Sequence, residues 1–227
     1  MFTRKRKQKM HFKPRIVALG DSAILIQLGD EIDFAVNQRI HALANLIANS
    51  SINGVVETVP AYATLLVHYD PLVLSFIQIK NILHEKLTQV QENESRKPRQ
   101  VEVPVRYGGE LGPDLELVAS HCGLRVEEVV RIHSTKIYMI YMMGFTPGYP
   151  YMGKLDEALI MPRLETPRTR VPAGTVAIAG SQTGIYSIES PGGWNLIGWT
   201  PLKLFDSNSD SPFLFAPGDE VKFIVEK

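Results

Sequence analysis

The feature that most restricts the fold is the change of pattern after Lys136. From there onward short β-branched and aromatic runs, at residues 137–143, 175–179, 185–188, 199–205 and 221–225, alternate with glycine- and proline-rich turns. Proline removes a backbone donor and glycine weakens a helix interior, so no long helix passes through such a stretch. Many short strands must instead bury their apolar faces against one another. The expectation is a mostly β barrel or sandwich.

The first part of the chain obeys a different rule. Residues 16–28 read as a strand segment broken at Gly20-Asp21 and closed by Gly29-Asp30. Behind Asp33, a suitable N-cap, Val36, Ile40, Leu43 and Ile47 recur at helical spacing. Two strands follow over 55–59 and 63–69, joined at Pro60-Ala61. A second helix is expected from Asp70-Pro71, with Ile79, Leu83, Leu87 and Val90 as its inner stripe. Strands and helices in the order β, α, β, β, α suit a split βαβ sandwich, two helices covering one face of a sheet.

Residues 91–100, Gln-Glu-Asn-Glu-Ser-Arg-Lys-Pro-Arg-Gln, are polar throughout and part the two patterns. The fold class is therefore α+β. A basic tail is expected over 1–13, an α+β domain over 14–92, a linker over 93–100 and a mostly β domain over 101–227. That last domain opens with a strand over 101–107 and two short helices divided at Cys122-Gly123, where glycine suits a left-handed cap.

Charge narrows the function classes. The 24 Lys+Arg balance 24 Asp+Glu, but residues 1–15 hold seven of the bases and no acid, leaving an acidic body at a net of −7. A uniformly basic nucleic-acid binder is excluded, and no nucleic-acid partner is expected. No apolar run approaches the roughly 20 residues of a membrane helix, so no membrane association is expected. Cys122 is the only cysteine and cannot form an internal disulfide, which fits a reducing, cytoplasmic location.

Several familiar chemistries fail on inspection. Gly148 through Leu155 matches a phosphate-binding loop as far as Gly153-Lys154, but Leu155 replaces the magnesium-binding Ser or Thr and Pro150 removes an amide donor. The six histidines include no His-x3-His pair, so no metal site is expected. No Gly-x-Ser-x-Gly elbow supports Ser190 as a nucleophile. His133 has the right chemistry for a general base, though a single histidine near a helix end also suits a structural or capping role.

The stretch 162–202 remains. Arg168 and Arg170 share a side if their segment is extended, so their planar forks suit a carboxylate or phosphate; the alternative is two surface ion pairs. Gln182, between glycines, suits amide donation to a ligand or plain turn chemistry. Gly192-Gly193 beside Trp194 suits either a hairpin tip or a pocket wall.

Six segments carry a resemblance that spans nearly the whole chain. They are Leu19-Gly-Asp-Ser-Ala-Ile-Leu25; Tyr107-Gly-Gly109 with Gly112-Pro-Asp-Leu115; Gly144-Phe-Thr-Pro-Gly-Tyr-Pro-Tyr-Met-Gly153; Thr166-Pro-Arg-Thr-Arg-Val-Pro-Ala-Gly174; Ile178-Ala-Gly-Ser-Gln-Thr-Gly-Ile-Tyr186; and Glu189-Ser-Pro-Gly-Gly-Trp-Asn-Leu-Ile-Gly198. In this order they resemble the KipI family of 5-oxoprolinase B subunits, related to allophanate hydrolase subunit 1 and to one half of the urea carboxylase carboxyltransferase domain.

The resemblance implies a cyclophilin-like β-barrel for the second domain. It also implies a component of an ATP-dependent complex that opens 5-oxo-L-proline to L-glutamate together with the A and C subunits of 5-oxoprolinase, the ATP being used at the level of the complex. On that basis Arg168 or Arg170 would clamp the small carboxylate substrate, and Gln182 with the amides near Gly184 and Gly193, beside Trp194, would orient the lactam. His133 would be the acid or base. The family also implies an alternative, an inhibitor that grips the dimerisation domain of a sporulation histidine kinase, with the aromatic loops around Phe145, Tyr149 and Tyr151 as its partner contacts.

Overall fold

The computed structural model describes residues 12–90 and 98–226. The expected tail over 1–13 and linker over 93–100 lie largely outside the described residues, which omit 1–11 and 91–97. The chain forms two compact units, residues 1–95 and 96–227.

In the first unit a hairpin of β1 (Arg15–Ala18) and β2 (Ala23–Gln27) leads into α1 (Phe34–Asn49). Then come β3 (Val55–Pro60), β4 (Thr64–Tyr69) and α2 (Phe76–Gln89). The sheet order is β1-β2-β4-β3, with every neighbouring pair antiparallel. β2 and β3 therefore run in the same direction on either side of β4, with α1 as the crossover between them. Asp33 caps α1 by accepting from the Val36 amide at 3.1 Å, as its side chain and position require. The apolar stripes of both helices, Ile40, Leu43 and Ile47 with Ile79, Leu83 and Leu87, bury against Ile24, Ile26, Leu65 and Val67 of the sheet.

The start of α2 departs from expectation. Asp70-Pro71 opens a turn, in which Leu72 N donates to Asp70 Oδ1 at 2.8 Å and Leu74 N to Asp70 O at 3.0 Å. The helix begins only at Phe76, behind a reciprocal capping box of Ser75 and Gln78.

The second unit contains β5 (Gln100–Tyr107), α3 (Leu115–Cys122), α4 (Val126–Thr135), β6 (Ile137–Met143) and β7 (Pro150–Gly153). They are followed by β8 (Arg168–Val171), β9 (Thr175–Ala179), β10 (Gln182–Ile185), β11 (Ser190–Gly192), β12 (Asn195–Trp199) and β13 (Glu220–Val225). Seven strands close into a barrel in the order β10-β7-β6-β13-β5-β12-β9, while β8 and β11 form a separate two-stranded ribbon. The last strand, β13, pairs in parallel with the first, β5, so the two ends of the unit lie side by side in the wall.

The expected strands at 185–188 and 199–205 are displaced toward the N-terminus, to β10 and β12. Pro201 cannot donate within a ladder, which accounts for the end of β12 at Trp199. Gly123 adopts φ +67 at the end of α3, the left-handed cap its position suggests.

Strands β9, β10 and β12 are buried on both faces, and that positions everything below. Val176, Ile178, Ile185 and Ile197 point into the barrel core, which α3 and α4 complete with Leu115, Val118 and Val129. The opposite faces of the same strands carry Ala177, Ala179 and Leu196 beneath a second, aromatic layer.

Candidate functional site

The aromatic layer consists of Tyr149, Tyr186 and Trp194, with half-buried Tyr151 at its margin and Val171 of the ribbon beside them. Tyr149 meets Tyr186 and Trp194 edge to face, with centroids 5.4 and 6.0 Å apart, and Tyr151 lies 6.2 Å from Trp194. Small residues make the layer possible. A Cβ on Gly184 would collide with the Tyr149 phenol, and one on Gly192 with the Tyr186 phenol. Burial pushes the pKa values of Tyr151 and Tyr186 above the ordinary phenol value, so both hydroxyls are neutral donors near pH 7. At Tyr186 a backbone hydrogen bond from Trp194 opposes that effect, as do the nearby Arg163 and Arg168; at Tyr151 Arg163 opposes it.

The two forks do not converge. Arg168 Nη2 donates to Asp114 Oδ1 at 2.7 Å, and the other carboxylate oxygen of Asp114 accepts from Leu196 N at 2.7 Å. Asp114 is buried and Arg168 is 31% exposed, which makes this a built contact across 54 residues of sequence. Arg168 Nη1 is buried without a hydrogen-bond partner. Arg170 instead pairs with Glu189 at 2.6 Å, both well exposed, so the ion-pair alternative describes it and the clamp reading does not.

The other expected site residues divide as follows. Gln182 sits in β10 opposite Gly153 and Ala179. Gly184, expected to present its amide to a ligand, lies inside the ladder between β7 and β9, and its missing side chain makes room for Tyr149. Gly193 O accepts from Leu164 N at 2.8 Å, and Trp194 is a packed wall with 5% exposure.

His133 requires a correction. Its ring is fully buried and stacks on Phe223 at 4.5 Å, out of reach of any substrate. Nε2 lies 2.9 Å from Thr183 Oγ1, whose hydrogen is donated to Ala177 O, so Nε2 carries the proton. Nδ1 is then the acceptor from the Tyr107 hydroxyl at 2.7 Å. Burial lowers the pKa to about 3, so the ring is a neutral structural bridge, the second of the two roles open to it.

Among the three expected partner contacts, Tyr149 is buried to 2% and Tyr151 is half-buried. Phe145 is 60% exposed, at φ +65, on a tight loop closed by Gly144 N to Tyr149 O at 3.1 Å and Thr146 N to Gly144 O at 2.7 Å. The same unit holds Phe205 and half-exposed Phe213, their rings 5.3 Å apart, with Phe205 against Gly148 of the Phe145 loop. The resemblance to a phosphate loop also resolves: residues 150–153 are strand β7, paired to both β6 and β10, so their backbone belongs to the barrel wall.

Among the described residues no helix is long and apolar enough to cross a membrane, and no group of three or more His, Cys, Asp or Glu could hold a metal ion. Sequence reading misses Asp114 and Tyr186. No local signal at Asp114 announces a partner 54 residues away.

Comparison with known proteins matches this architecture. The family described as "Carboxyltransferase domain, subdomain C and D" matches residues 14–215. The chain is 44% identical over 225 residues to the 5-oxoprolinase B subunit of Bacillus subtilis, covering 95% of this chain and 94% of that protein. It is 41% identical over 221 residues to the 5-oxoprolinase B subunit of Escherichia coli O157:H7, covering 95% and 97%. Among solved structures, TTHA0988 superposes with a TM-score of 0.80 at 40% identity, over 90% of this chain and 40% of that one, so the chain spans about two-fifths of that protein. The Kluyveromyces lactis urea amidolyase shares the fold, with a TM-score of 0.80 at 20% identity over 98% of this chain and 15% of that one.

Proposed function

The chain belongs to the carboxyltransferase-domain family of subdomains C and D, among its 5-oxoprolinase B-subunit members, and on that premise we propose that it is the B component of a 5-oxoprolinase complex. The reaction is the ATP-dependent opening of 5-oxo-L-proline to L-glutamate. The observation that carries the reading is near-complete coverage, in both directions, of relatives named for that component at 41–44% identity. No observation favours the kinase-inhibitor alternative.

Residues 14–92 and 101–227 act as its two domains, the second a cyclophilin-like barrel, and the protein works in the cytoplasm. A lactam is a poor electrophile, so its carbonyl oxygen needs activation by ATP before water attacks. ATP is consumed to ADP and inorganic phosphate, which carries off the oxygen's activating group; the bond that breaks is the ring C–N, and its nitrogen takes up a proton and becomes the amine of glutamate. In this scheme ATP binding falls to the companions, the A and C subunits, and this chain holds the small acid. Arg168 supports that role: Asp114 fixes its guanidinium and leaves Nη1 unpartnered. Phe145, displayed on its tight loop, is the partner anchor.

Co-expression with the A and C companions, followed by sedimentation of the purified mixture, tests assembly. A species whose mass includes this chain is expected. Separate sedimentation of this chain at micromolar concentration would defeat the proposal.

A further inference from the structure

We infer that Arg163 receives the substrate's carboxylate, with Tyr151 and Trp194 as the walls; this rests on the reading of the chain as a 5-oxoprolinase component. Arg163 is held in place by its neighbours. Asn195 Nδ2 donates to Pro162 O at 2.8 Å on one side, and Leu164 N donates to Gly193 O at 2.8 Å on the other. The segment 162–164 thus runs alongside 193–195, with Arg163 opposite Trp194. Its side chain is exposed and makes no ion pair among the described residues.

The surroundings favour one kind of ligand. Tyr151 packs near Trp194, and Tyr186 accepts a hydrogen bond from the Trp194 backbone, so two neutral phenols flank the place where Arg163 stands. Arg168 lies on β8 opposite Gly192, two residues from Trp194. Its charge is offset by Asp114 and that of Arg170 by Glu189, which leaves Arg163 as the uncompensated guanidinium of this cluster. A guanidinium free of any ion pair among the described residues, set beside aromatic side chains, matches a flat monoanion carrying a carboxylate. It matches a polyphosphate poorly, since that ligand would bring several negative charges.

The test uses the reconstituted complex and steady-state glutamate release. Arg163→Gln should raise KM for 5-oxoproline about ten- to a hundredfold, the loss of one charge-assisted contact, with kcat within about threefold. Arg163→Lys should recover part of the loss, because an ammonium keeps the charge without the fork. The uncharged amide of 5-oxoproline should be processed alike by parent and variant. An unchanged KM, or an equal loss on the amide, overturns the inference while leaving the assignment to the complex standing. A parent complex that releases no glutamate overturns the assignment itself, and the inference with it.

Discussion

Acidification should weaken the second unit through His133, and the size of the effect can be worked out. The folded barrel holds this ring neutral, with its pKa lowered from 6.5 to about 3 by burial, whereas the unfolded chain binds a proton near pH 6.5. Between those values the unfolded state carries the extra proton, so stability rises with pH across the window. The contribution is complete above pH 6.5 and is lost progressively as pH falls toward 3.

Over the whole window it amounts to about 5 kcal/mol at most, and at pH 5 to about 2 kcal/mol, at 1.36 kcal/mol per pH unit. The comparison variant is His133→Gln, which does not titrate yet offers an amide donor to Thr183 and a carbonyl acceptor to Tyr107. It also loses the stack on Phe223, a fixed offset at every pH. Both tryptophans, Trp194 and Trp199, lie in the second unit, so guanidinium unfolding followed by tryptophan fluorescence reports that unit alone. The stability difference between parent and variant should shrink by about 2 kcal/mol from pH 7.5 to pH 5. A difference that stays constant over that range refutes the neutral, buried histidine.

Three further outcomes concern the packing and the surface. Gly192→Ala places a methyl group against the Tyr186 phenol and should destabilise the second unit by about 1–3 kcal/mol; an unchanged fluorescence melt contradicts this. Arg170→Ala removes an exposed pair, so stability should move by less than about 1 kcal/mol and KM for 5-oxoproline by less than about twofold. Phe145→Ser should weaken assembly with the companion chains about tenfold in a sedimentation titration without lowering the melting temperature, and equal affinity would remove Phe145 from the interface.

Local signals make parts of the fold legible and leave others hidden. The spacing of Ile40, Leu43 and Ile47 behind Asp33 is sufficient for α1, because stripe and cap agree. The start of α2 is harder, since Asp70-Pro71 serves a turn as well as a helix and competes with the Ser75–Gln78 box that actually opens it. Strand β10 begins with Gln182-Thr183-Gly184, which has little β character of its own and is held by ladders on both sides.

The candidate site is legible in composition and obscure in geometry. Arg168, Arg170 and the glycines are conspicuous, but only the folded chain reveals that Asp114 fixes one arginine and Glu189 neutralises the other. In the sequence Gly184 suggests an amide offered to a ligand, and Gly192 a hairpin tip or pocket wall. Both are spaces left for the hydroxyls of Tyr149 and Tyr186, a purpose that depends on neighbours outside the local segment. His133 and Thr183 meet across 50 residues for the same reason.

The chain is expected to supply an indispensable acid-binding surface to a reaction it cannot complete alone. Glutamate released from 5-oxoproline and ATP should be measured for the chain by itself, for the two companions by themselves, and for all three together. Release confined to the three-part mixture is the predicted result. Turnover by the chain alone, or companions that work at full rate without it, would contradict the claim.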